Sequence, residues 1–184
     1  MQADIATEPD ASPLRRKLQG WLNIVAAVGT VWIFAVMLLI VADVVGRNFL
    51  AAPITGVAEI AARSVVAIVF LMLPAAALSG SLVRADFVLR LVEGSSERLP
   101  HLLDALFALA GAALFGLVAL AAWPDTASAW RSAEFFGVRG VWTLPTLPFR
   151  LIIVFGSAAS ALAFAVLATE SLGRLRNLKA SGHE

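Results

Sequence analysis

Charged residues leave four long runs of the chain without any Asp, Glu, Lys, Arg or His. These runs are between 19 and 25 residues long and are apolar on every helical face. A helix rises about 1.5 Å per residue, so about 20 apolar residues cross the roughly 30 Å hydrocarbon core of a bilayer. The pattern therefore predicts four transmembrane helices, over residues 22–44, 60–82, 102–124 and 149–170.

The spans are predicted to be helices rather than barrel strands, because membrane strands alternate apolar and polar residues over about 10 positions. The first run is also much longer than the apolar core of a cleavable signal peptide, which has about 7–15 residues. We therefore expect it to remain in the protein as an anchor.

The connection between the second and third spans has a different pattern. Over residues 84–93, apolar residues gather on one face of a helical wheel and charged residues on the other. Such a segment is typical of a helix that lies in the membrane interface. The predicted fold is an all-α integral membrane protein with four transmembrane helices and one short interfacial amphipathic helix, whose polar residues include Arg84, Asp86 and Arg90.

The basic residues predict the orientation. Nine of the 14 Lys and Arg residues flank one side of the spans and five flank the other, and an excess marks the cytoplasmic side. Both termini are therefore expected to be cytoplasmic. The chain divides into a disordered leader (1–17), a membrane domain (18–172) and a cytoplasmic tail (173–184). Tryptophans gather at membrane boundaries, and the expected anchors are Trp21, Trp123, Trp130 and Trp142.

The composition is consistent with lipid as a second solvent. Of the 184 residues, 60% are hydrophobic and 15% are charged, against about 45–50% and about 25% in soluble domains. The formal net charge of +1 provides no field that would attract nucleic acid, and the absence of cysteine excludes disulfides and thiolate chemistry. Neither a soluble enzyme nor a nucleic-acid-binding protein is expected.

The spans also lack the groups that transport or redox chemistry needs. Ion-coupled carriers place ionisable residues near the bilayer midplane, and these runs contain none. Haem between helices would need imidazole at membrane depth, whereas His101 lies at a helix start and His183 lies in the tail. We predict no catalytic residue, no metal site and no cofactor, and we expect that the chain does not move substrate by itself.

Two pairs of opposite charges flank the first connection. Asp43 and Arg47 close the first span, and Glu59 and Arg63 open the second. Because residues four apart share a helical face, each pair is interpreted in one of two ways. They are surface ion pairs of little energetic weight, or they dock a partner or fix the turn between the helices.

Small residues recur every four positions on two of the spans. Such stripes let helices approach closely in lipid, and we expect contacts within the bundle rather than with another protein. Pro74 is expected to bend the second span. The stripes are Ser157, Ala161, Ala165 and Thr169 on the fourth span and Ala108, Ala112 and Gly116 on the third.

The order of these motifs resembles a known family, the DctQ-type small membrane subunit (Q component) of tripartite ATP-independent periplasmic (TRAP) transporters. Residues 43–49, Asp-Val-Val-Gly-Arg-Asn-Phe, are similar to the family's Asp-x-x-x-Arg followed by an aromatic residue. Residues 58–61, Ala-Glu-Ile-Ala, are similar to its Glu-Glu-Ile-Ala. Residues 80–86, Gly-Ser-Leu-Val-Arg-Ala-Asp, align with its Gly-x-His-Ile-x-Val-Asp.

The sequence also departs from the family pattern. The first glutamate is Ala58, the arginine after the glutamates comes one place late at Arg63, and the histidine is Leu82. The resemblance is therefore that of a divergent member.

The resemblance implies a non-catalytic small permease subunit of the bacterial inner membrane. Its partners would be the lipid bilayer, a large elevator-type membrane subunit (M component) that it scaffolds, and a periplasmic substrate-binding protein (P component) that it helps dock. The assembly would take up organic acids with a coupling ion. The resemblance also implies a periplasmic docking surface that includes Asp43, Arg47, Glu59 and Arg63.

Other functions stay open at this point. The small subunit of a tripartite tricarboxylate transporter has similar size and four helices. A quinone-reactive redox bundle is less favoured, because the spans hold no histidine and no grouped carboxylates. A self-assembling structural protein with four spans would also have this composition.

Overall fold

The computed structural model describes residues 13–79, 99–137 and 142–181. The predicted leader up to residue 12, the last three residues and the predicted interfacial helix, with Arg84, Asp86 and Arg90, lie outside the described residues.

Four long helices make up most of the described chain. They are α1 (Pro13–Phe49), α2 (Val57–Leu78), α3 (Leu99–Ser132) and α4 (Leu147–Ser181). Each contains a stretch that is long and apolar enough to cross a membrane. The predicted all-α membrane fold with four transmembrane helices is confirmed.

The helix bounds differ from the predicted spans at all four helices, and α3, for example, continues to Ser132. α1 begins at Pro13, inside the expected leader, α4 continues through the expected tail to Ser181, and α2 ends at Leu78. Charged residues end an apolar run but do not end a helix, because Arg and Lys are good helix formers. Proline also favours the first helical turn, where its fixed φ angle is already suitable.

The helices pack side by side in the order α1, α2, α4, α3. The two inner helices bury 39% (α2) and 28% (α4) of their most apolar stretch, whereas each outer helix buries 11%. The array therefore has a narrow protein core between α2 and α4 and large apolar faces on both sides. In lipid this exposure is favourable, because the hydrocarbon is as apolar as the side chains.

Close contact between α2 and α4 depends on small residues. Gly156, Ser157, Ser160 and Ala163 are buried on α4. Both serine hydroxyls donate to carbonyls of their own helix, at 2.6 Å (Ser157 to Ile153) and 2.8 Å (Ser160 to Gly156). Their polar groups are thus satisfied without a neighbour, and little side-chain volume separates the helices.

The predicted stripe of small residues on α4 coincides only in part with the buried face of that helix. Ser157 is buried, but Ala165 and Thr169 are exposed. An α-helix has 3.6 residues per turn, so a strict four-residue repeat drifts around the helix and leaves the contact face. On α3, Ala108 is buried, whereas Ala112 and Gly116 are half-buried.

A short hairpin closes the connection between α3 and α4. Strand β1 (Phe135–Phe136) pairs antiparallel with β2 (Leu144–Pro145), and Phe136 lies opposite Leu144. The hairpin lies at the same end of the array as the α1–α2 turn. We call this the hairpin end, and we call the opposite end, where α1 begins and α4 finishes, the terminal end.

Candidate functional site

The α1–α2 turn is built around one buried carboxylate. Oδ2 of Asp43 accepts a hydrogen bond from Nη2 of Arg47 at 3.0 Å, and Oδ1 accepts one from the backbone N–H of Ile54 at 2.9 Å. The predicted Asp43–Arg47 pair therefore forms. The same carboxylate also fixes the turn, which is more than a surface ion pair does.

Backbone contacts tighten the turn further. The Gly46 carbonyl accepts hydrogen bonds from the N–H groups of Leu50 (3.2 Å) and Ala52 (3.0 Å). A Cβ on Gly46 would come within 2.8 Å of the Ala52 carbonyl oxygen, so the turn needs glycine there. The turn presents Phe49 and Leu50 at its tip, with 82% and 72% of their surface exposed.

Replacing Asp43 with alanine is expected to lower the free energy of unfolding by about 1–2 kcal/mol, because the turn loses the hydrogen bond from the Ile54 N–H to a charged acceptor. Arg47→Ala is the control, since the Arg47 side chain is 64% exposed and its ion pair is worth less than about 1 kcal/mol. SDS titration of the detergent-solubilised protein measures both. Equal losses in the two variants would show that only the ion pair matters.

The second predicted pair does not form. Among the described residues, Glu59 makes no ion pair, and the guanidinium carbon of Arg63 instead lies 4.2 Å from the centre of the Phe136 ring. A guanidinium over an aromatic face is attracted by the ring quadrupole. Arg63 thus joins α2 to the hairpin, while Glu59 remains exposed at the first turn of α2.

Arg63 lies against an aromatic cluster formed by Trp32, Phe136, Trp142 and Phe149. The Phe136 ring meets Trp142 and Phe149 edge to face, with centroids 5.7 Å apart in both cases. Trp32 of α1 lies 6.1 Å from Phe149. The cluster therefore joins α1, the hairpin and α4, and Arg63 connects it to α2.

Gly56 forms the base on which Trp142 packs. Its φ angle of 89° lies in the left-handed region, which lets it begin α2 directly after the turn. Any Cβ at this position would overlap the Trp142 indole ring. Trp142, which was also expected to be a membrane anchor, is half-buried and packs against Gly56 and Phe136, and its anchoring role stays a prediction.

The other three expected anchors point outward. Trp21, Trp123 and Trp130 have 73%, 60% and 70% of their surface exposed. Exposed tryptophan side chains are common at membrane–water boundaries. Anchoring by these three residues stays a prediction.

Arg150 forms a second connection at the hairpin end. Its guanidinium lies 3.7 Å from Asp125 at the end of the apolar part of α3 and 3.2 Å from Glu134 next to β1. The Glu134 carbonyl also accepts the N–H of Thr146 at 2.9 Å. These contacts hold the hairpin between α3 and α4.

Sequence reasoning did not assign Arg150, Asp125, Glu134 or the aromatic cluster to the site. The available signal was the number of aromatic residues in the connection between the third and fourth spans. The contacts of the side chains in this connection depend on how α1 and α2 lie beside it, which the sequence does not give. Among the described residues, no group of three His, Asp or Glu side chains is placed to hold a metal ion.

Taken together, the four apolar helices and the ordered hairpin end define a multi-pass membrane protein. The sequence model of the family described as tripartite ATP-independent periplasmic transporters, DctQ component, matches residues 36–174. The chain belongs to this family, whose members are components of tripartite transporters. Neither a curated protein nor a solved structure is similar enough to be matched.

Proposed function

We propose that this chain is a non-catalytic small permease subunit that scaffolds the large membrane subunit of a TRAP transporter and helps dock the periplasmic binding protein. The large subunit would carry out ion-coupled uptake of organic acids. The observation that carries the proposal is the family match over residues 36–174, which includes the end of α1, the whole of α2 and α3, and most of α4.

The helix array suits a scaffold. An elevator mechanism needs a part that stays still in the bilayer while another part moves. Helices that expose most of their apolar surface, as α1 and α3 do, can adhere to lipid and to a partner along their full length. The 18–42, 64–78, 105–124 and 151–169 stretches contain no ionisable side chain, which favours a supporting role over substrate transfer.

The hairpin end is proposed to face the periplasm of a bacterial inner membrane, with both termini in the cytoplasm. More Lys and Arg residues flank the spans on the side of the two termini than on the other side, and this excess supports the orientation. Docking of the binding protein would then use charged side chains at the hairpin end. Arg47, Glu59 and Arg63 are exposed there. The buried Asp43 carboxylate holds the turn, and Arg63 also contacts the hairpin.

Purification of the tagged protein in mild detergent tests the proposal. A large polytopic membrane protein that copurifies in a fixed ratio is the expected result, and mass spectrometry identifies it. Isolation as a homo-oligomer, or with a bound chromophore, would contradict the proposal and favour a structural or redox protein.

Arg47→Ala and Glu59→Ala are expected to slow solute uptake by cells several-fold while membrane insertion is unchanged. Exposed charges at a docking surface act mainly on the association rate, so the defect should shrink as salt screens them. Arg16→Ala is a matched control and should leave uptake unchanged, because Arg16 is exposed at the terminal end, away from the proposed docking surface. Normal uptake in both variants would remove Arg47 and Glu59 from the docking surface.

A further inference from the structure

α1 is an outer helix of the array, and its packing surface is α2. Two of its side chains also contact α4, one toward the hairpin end and one at the terminal end. Trp32 meets Phe149 toward the hairpin end, and Arg15 meets Glu170 at the terminal end. Leu22 of α1 also packs in a buried apolar cluster with Leu78 of α2 and Ala163 of α4, so the polar contacts of Arg15 add to an apolar contact at the terminal end.

Arg15 contacts two different helices. Its Nη1 atom lies 3.3 Å from Oε2 of Glu170 on α4, and its Nη2 atom donates to the carbonyl of Leu78 on α2 at 2.9 Å. One turn further along α1, Nε2 of Gln19 donates to the carbonyl of Ala75 at 3.3 Å. The first two turns of α1 are therefore hydrogen-bonded to the last turn of α2.

The end of α2 favours the positive charge of Arg15. Leu78 is the last residue of α2, where helix carbonyls lack intrahelical donors and carry a partial negative charge. The Arg15 and Glu170 side chains are only 11% and 19% exposed. A pair with this little exposure is screened by water and salt less than an exposed pair is.

We propose that Arg15 and Glu170 form an ionic clamp that holds α1 against α2 and α4 at the terminal end, so that the array behaves as one rigid body. The clamp is a property of this chain alone and does not depend on the proposed transport function. Its test therefore uses the isolated protein, and its failure would leave the proposed function untouched.

The test measures a distance between α1 and α4 in the full-length protein in lipid nanodiscs. Nitroxide labels are attached to cysteines at Gly20→Cys and Gly173→Cys, because a Cβ at either glycine meets no atom within 4 Å and the chain has no other cysteine. Electron–electron resonance then gives the distance distribution. A single narrow distribution is expected for the otherwise unchanged protein.

Arg15→Gln is expected to replace the narrow distribution with a broad one that extends to longer distances, and Glu170→Gln to do so more weakly. The double variant should broaden no further than Arg15→Gln, because the two residues act as one unit. Arg16→Gln removes the same charge from an exposed position and should leave the distribution narrow. Narrow distributions in both single variants, or additive broadening in the double variant, would overturn the clamp. Circular dichroism checks that each variant remains helical.

Discussion

Gly156→Ala is expected to separate α2 from α4 and to lower the free energy of unfolding by about 3 kcal/mol, the upper part of the range for overpacked interiors. A Cβ at this position would overlap the carbonyl of Phe70. That carbonyl is backbone and cannot rotate away. It also lacks its usual helical donor, because residue 74, four places on, is a proline without an N–H group.

Gly173→Ala is the matched control for this prediction. It lies on the same helix, is exposed, and would place its Cβ in open space. It should therefore not lower the free energy of unfolding, and the helix preference of alanine should raise it by up to about 1 kcal/mol. SDS titration of the two variants measures the difference. Equal stability of Gly156→Ala and Gly173→Ala would mean that α2 and α4 do not approach as closely as described.

Gly56→Ala is expected to have the second large effect, a loss of about 2–5 kcal/mol. Part of the loss is the left-handed backbone that alanine disfavours, and part is the overlap with the Trp142 indole. Displacement of Trp142 would also remove its edge-to-face contact with Phe136. Intrinsic tryptophan fluorescence should therefore shift to longer wavelength as the indole becomes more exposed to water.

A Trp142→Ala background separates the two causes. There, Gly56→Ala should retain only the backbone cost, about 1–2 kcal/mol. If Gly56→Ala costs the same in both backgrounds, the indole does not pack on Gly56.

The fold was largely predictable, because four charge-free runs of membrane-spanning length have few other structures open to them. The helix ends were less predictable. Charged residues such as Arg15 mark where lipid ends, but they also favour helix, so α1 starts before the apolar run. The buried small residues on α4 could not be identified without the position of α2. The need for glycine at position 156, for example, comes from its close contact with Phe70 of α2.

The candidate site was predictable only where its contacts are local. Asp43 and Arg47 are four residues apart on one helix, and their pair forms as the spacing indicated. Glu59 and Arg63 have the same spacing, but Arg63 contacts Phe136, which is distant in sequence and brought close by the hairpin. Contacts such as Arg150 with Glu134, and Arg15 with Glu170, depend likewise on helix order and could not be deduced from spacing.

The central claim is that this chain supports transport without carrying out transport itself. Uptake of radiolabelled organic acids into reconstituted vesicles, under an ion gradient, tests it most directly. Vesicles that contain this protein alone are expected to stay impermeable, and uptake should require the large membrane subunit and the binding protein as well. Specific, saturable uptake by vesicles that contain only this protein would contradict the account.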